Sequence, residues 1–101
     1  MTNKELLKLA AKAAGIEADN YLFTNDGIWF SFDKTWNPLT DDGDALRLVV
    51  KLRLGVTVSK YEVIVTQFGE TEAQENIDND PYAATRRAIV RAAAEIGKEM
   101  K

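Results

Sequence analysis

Three aspartates fall within four positions, Asp41, Asp42 and Asp44, and clustered carboxylates are the ligands that magnesium and calcium take. The cluster lacks the alternating acidic positions and the distal glutamate of an EF-hand loop. Aspartates immediately before a helical run are also what N-capping asks for, so the cluster is read as a cap and no metal site is expected. General acid–base catalysis needs two carboxylates that converge in space, and among 16 Asp and Glu the spacing singles out no pair. Neither a phosphate-cradling P-loop nor a dinucleotide-binding glycine fingerprint occurs.

The chain has no histidine and no cysteine. That removes Cys/His zinc sites, thiol nucleophiles, Ser-His-Asp triads, His-ligated haem and disulfides. No catalytic residue and no cofactor are expected, and a magnesium-dependent enzyme built on Asp41, Asp42 and Asp44 is kept as a rival reading.

Binding offers more candidates. Arg86, Arg87 and Arg91 could form one arm of a phosphate or acidic-partner site, with Arg47, Lys51 and Arg53 as another. Against nucleic acid stands the balance of 13 Lys plus Arg with 16 Asp plus Glu, net −3, which gives no long-range attraction to a polyanion. Trp29, Trp36 and Tyr82 are the candidate contact aromatics, because such side chains concentrate in binding hot spots; the competing reading is that they are core.

These residues must be carried by a single domain covering residues 1–101. Thr2 and Glu5 fit a capping box, and Leu6, Leu7, Leu9, Ala10, Ala13 and Ala14 then run at helical spacing to a Gly15-Ile16 stop, predicting a helix over about 3–14. Tyr21–Phe23 and Ile28–Phe32 flank Asn25-Asp26-Gly27 as a hairpin. In the second of these strands Trp29 falls opposite the Ile28, Phe30, Phe32 row. Asn37-Pro38 forbids helix, and Asp41 or Asp42 caps a second helix over about 43–54 that Gly55 ends. From Val56 to Phe68 the β-branched and aromatic content predicts a bent strand or a tight hairpin around Ser59-Lys60. The segment Glu70–Asn79 reads as a polar loop with room for a short edge strand. Asp80 caps, and Pro81 opens, a last helix to about Glu99, whose buried stripe would hold Tyr82, Ile89 and Ile96.

The order α-β-β-α-β(-β)-α is α+β with a mainly antiparallel sheet. Apolar residues on both faces of the Tyr61–Phe68 strand favour a sheet covered on both sides. Lys4, Glu5, Lys8 and Lys12 interrupt the opening segment, so it does not read as a secretory signal, and no apolar run reaches membrane-spanning length. A cytoplasmic protein is expected, without contact to a membrane.

Two stretches, WNPLTDDGDALRL from Trp36 to Leu48 and DPYAATRRAIVRAAAEIG from Asp80 to Gly97, resemble the phage ABA sandwich domain, a family of small bacteriophage and prophage proteins without an assigned activity. The resemblance implies a three-layer α-β-α sandwich and supplies no catalytic residue. The expectation drawn from it is a non-enzymatic phage or prophage accessory protein in the bacterial cytoplasm that binds a host or phage protein, with a homodimer also open. Its contact residues would come from Trp29, Trp36, Arg86, Arg87 and Arg91. Nucleic-acid binding through the arginines is the alternative.

Overall fold

The computed structural model describes residues 1–16, 22–24, 27–31 and 34–100. Elements follow in the order α1 (Asn3–Ala13), β1 (Leu22–Thr24), β2 (Gly27–Ser31), β3 (Lys34–Trp36), α2 (Asp42–Leu52), β4 (Leu54–Val58), β5 (Glu62–Gln67), β6 (Glu70–Asn76) and α3 (Pro81–Glu99). The class is α+β, as the element order implies, and every strand pairing among the described residues is antiparallel. The strands divide into two sheets, β1-β2-β3 and β4-β5-β6, a split that strand propensity alone does not reveal.

The helix ends follow the expected chemistry with one exception. The Thr2 hydroxyl accepts from the Glu5 amide at 3.1 Å. At the far end of α1, Gly15 is left-handed (φ 78°) while the Ile16 amide returns to the Ala11 carbonyl, the six-to-one bond of a Schellman stop. Asp80 caps α3 by accepting from the amides of Tyr82 and Ala83. In α2 the stop comes earlier than Gly55: Arg53 takes the left-handed conformation (φ 56°), and Leu54 and Gly55 already belong to β4. Gln67 donates from Nε2 to the Leu52 carbonyl at 2.9 Å, satisfying one of the acceptors that a helix end leaves open.

The Val56–Phe68 region is a hairpin, closed by Ser59, whose hydroxyl bonds the Glu62 carbonyl. The polar stretch after it holds the expected edge strand, but as a seven-residue strand, β6, that takes up most of the segment read as loop. Its alternation of Glu, Thr, Gln and Asn conceals the strand because only one inward position, Ala73, is a buried apolar residue. The registers Val56↔Val65, Val65↔Ala73 and Val63↔Glu75 place Leu54, Val56, Val63, Val65, Ala73 and Glu75 on one face. The opposite row holds exposed Thr57 and Gln74 with a half-buried Ile64 between them.

The core forms where α3 meets this inner face and α1. Ala88, Ile89, Val90, Ala92, Ala93 and Ala94 are all buried, so α3 is enclosed around most of its circumference in mid-length, the signature of a central helix. Tyr82 falls outside that enclosure, 71% exposed in the first turn, and so departs from the buried stripe in which Ile89 lies. The packing of α1 on α3 uses small residues. A Cβ at Gly97 would overlap the Leu9 carbonyl oxygen and stand 2.9 Å from its carbon, which requires glycine there. Asn3 lies by Arg87, Leu9 by Gly97 and Lys12 by Met100, so the two helices run parallel.

Candidate protein-binding surface

The segment that leads into α2 is fixed by its polar side chains. Asn37 is buried, its Oδ1 accepts from the Leu39 amide at 3.0 Å, and its carbonyl accepts from the amides of Thr40 and Asp41. Its own amide donates to Asp44 Oδ2 at 2.9 Å. Asp44 is buried, with Oδ1 held by Arg47 Nη1 at 2.9 Å. Burial pushes the Asp44 carboxyl above its usual pKa, and the nearby Asp41 charge adds to that, while the Asn37 amide and Arg47 oppose it.

The three clustered aspartates therefore have separate tasks. Asp41 is the N-cap, accepting from the Gly43 amide at 3.0 Å. Asp42 meets Arg86 across the helix pair at 2.7 Å. Asp44 ties the Asn37 turn to α2. Among the described residues no group of three acidic side chains is placed to hold a metal ion.

The arginines of α3 are likewise engaged within the chain. Arg86 donates from Nε to the Leu39 carbonyl at 2.9 Å as well as to Asp42. Arg87 and Arg91 converge on Glu75, the inward-facing carboxylate of β6, and Arg91 also bonds the Gln74 carbonyl. Together these bonds fasten α3 to the α2 entry and to the sheet, which is a structural use of guanidinium forks. Trp36 is 7% exposed and belongs to the core, so it offers no surface for contact. Trp29 sits in the middle of β2, paired with Leu22 and Thr35.

The exposed apolar surface lies elsewhere. α2 buries Ala45 and Leu48 against α3 and β4. On its other side Leu46 and Val50 are 61% and 66% exposed. Between α2, β4 and the start of α3 runs an open groove of about 630 Å³, lined by Ala45, Leu46, Val49, Val56, Val58, Tyr82 and Ile89, with the Asp42–Arg86 pair at its margin. Val58 and Tyr82 are themselves mostly exposed. The sequence carried a usable signal for this surface: at 100° per residue, Leu46, Val49 and Val50 fall on a different arc from Ala45, Leu48 and Leu52, so α2 is apolar on two sides.

Two further exposed aromatics, Tyr61 and Phe68, lie away from this groove. Phe68, 82% exposed, occupies the first position of the two-residue β5–β6 turn in the left-handed region (φ 51°), followed by Gly69 at φ 86°. Such turns favour Asn, Asp or Gly at both positions.

Compared with family models, curated proteins and solved structures, the chain matches none of them. No helix among the described residues is long and apolar enough to cross a membrane.

Proposed function

We propose that this chain is a non-enzymatic protein-binding module, an accessory protein of a bacteriophage or prophage acting in the bacterial cytoplasm, and that it binds through the outer face of α2 and the adjoining groove. The observation that carries the reading is the exposure of Leu46, Val58 and Tyr82 along an apolar groove, with exposed Val50 beside Leu46. Contiguous exposed apolar surface of this kind is how soluble proteins mark a contact site for another polypeptide. The aspartate cluster and the α3 arginines that the sequence singles out are used in capping, in the Asp44 tie and in the α3 pairs.

The test is affinity capture from bacteria during phage growth, after nuclease treatment, with the unaltered chain and Leu46→Glu in parallel. Leu46 is exposed, so the substitution leaves the core intact. The expected result is a stoichiometric protein held by the unaltered chain and lost with Leu46→Glu. Equal capture by both, or capture that vanishes with nuclease, would overturn the reading.

A further inference from the structure

The outer face of α2 has an internal order along its length. Asp42, Leu46, Val49, Val50 and Arg53 recur at spacings of four and three and so share one stripe. The stripe begins acidic, is apolar in the middle and ends basic. Its charged ends are accessible: the Asp42 side chain is 75% exposed even while it meets Arg86, and Arg53 is exposed at the left-handed cap. Of the other exposed charges on α2, Asp41 lies at the acidic end and Lys51 at the basic end, while Arg47, paired with Asp44 of its own chain, lies between them beside Val50.

Read from its other end, the stripe has its charges exchanged and its apolar centre unchanged. Two such helices laid antiparallel therefore complement each other, whereas laid parallel they would set acid on acid and base on base. Asp42 and Arg53 are 11 steps apart, about 16 Å along a helix. A two-fold axis passing between Arg47 and Leu48 brings each Asp42 to Arg53 of the partner subunit. The same axis sets Leu46 against Val49 of the partner subunit. An isologous contact of this kind closes on itself as a dimer.

We propose that the occupant of this surface is a second copy of the same chain, joined through antiparallel α2 helices, with Asp42 of each copy beside the other's Arg53. The proposal rests on the reading of this face as protein-binding. It accounts for an apolar helix face ringed by charges of both signs in an ordered sequence. Continuity with the groove matters to its strength, because a stable dimer covers about 800 Å² on each partner, more than a three-turn helix face supplies, and Val58 and Tyr82 widen the patch on one side.

The experiment is sedimentation velocity of the full chain over a concentration series, with Arg53→Asp, Asp42→Lys and Leu46→Glu, each checked for folding by circular dichroism. The unaltered chain is expected to show a concentration-dependent dimer. Arg53→Asp alone and Asp42→Lys alone each turn two attractive contacts per dimer into two repulsive ones, so each is expected to raise the dissociation constant about tenfold or more. Mixing the two variants should restore association to within about threefold of the original, since a heterodimer pairs Lys with Asp at one end and Asp with Arg at the other. Leu46→Glu should leave a monomer. A monomer at every concentration, or a dimer indifferent to both Arg53→Asp and Leu46→Glu, overturns the proposal; failure of the mixture to recover overturns the antiparallel register. A monomeric chain that still captures a different protein through Leu46 would remove the second copy while leaving the protein-binding reading in place.

Discussion

Replacing Gly97 with alanine sets two effects of opposite sign against each other. In an open helix the change would stabilise by about 1 kcal/mol, because glycine forfeits more backbone entropy. Here the added Cβ would overlap the Leu9 carbonyl oxygen and stand 2.9 Å from its carbon and 3.4 Å from its Cα. These are backbone atoms, so no rotamer change relieves them, and α1 must move off α3 by at least the ~0.6 Å that separates 2.9 Å from an ordinary carbon contact. A gap of that size forfeits a quarter or more of the dispersion along the seam, and overpacking in such cores costs about 1–3 kcal/mol. The upper part of that range applies, leaving a net loss of about 1–2 kcal/mol after the propensity gain. At about 4–8 °C per kcal/mol for a domain of this size, Tm falls by roughly 5–15 °C. The control is Gly43→Ala, where the nearest atoms are the Arg47 and Asp41 side chains at 3.4 Å and the expected change is a gain of up to about 1 kcal/mol. Thermal melts by circular dichroism with urea titration at fixed temperature measure both. If Gly97→Ala melted at or above the unaltered chain, the close approach of α1 to α3 would be wrong.

Asp44 gives a pH-dependent expectation. Its carboxyl has a raised pKa in the folded state, so the folded chain holds that proton more tightly than the unfolded one, and the resulting stabilisation is complete below the unfolded value and lost as pH rises through the folded value. Relative to Asp44→Asn, which does not titrate, the unaltered chain should lose stability on going from about pH 3 to about pH 7; a relative gain over that range would refute the assignment. At the β5–β6 turn, Phe68→Asn should raise stability by about 0.5–1 kcal/mol in urea titration, since asparagine tolerates the left-handed conformation that phenylalanine adopts at a cost. A loss there would mean that the Phe68 ring contributes to the fold in spite of its exposure.

Local chemistry made most of the elements legible. Thr2, Gly15, Asp80 and Pro81 act at the helix ends as their types require, because a cap is decided by residues a few positions apart. What depends on distant partners was not legible. The strand β6 is hidden by its polar residues and stands because β5 offers it a ladder; Arg53 ends α2 ahead of Gly55 because the chain must turn at once into β4. The hairpin turn Asn25-Asp26 and the residues Tyr21 and Phe32 lie outside the described residues. At the candidate surface the sequence pointed to arginines and tryptophans by type. The arginines are drawn into bonds with Leu39, Asp42, Gln74 and Glu75, partners between 12 and 47 residues away that spacing cannot foretell. The aliphatic residues that remain exposed, Leu46 and Val50, are not singled out by type, because aliphatic side chains are usually buried; only their position around the helix marks them.

The parallel seating of α1 on α3 ties the order of synthesis to the order of assembly. Residues 3–13 leave the ribosome well before the helix against which they are buried, with Gly97 at the point of closest approach, which is made some 80 residues later. Until then Leu6, Leu7, Ala10 and Ala11 lack their main packing partner, although the β4-β5-β6 meander can already pair through its short turns. Closure of so long a loop is entropically slow. Until α3 is made, the amphipathic face of α1 therefore lacks the helix that encloses it, and its protection from proteolysis is expected to follow the emergence of α3.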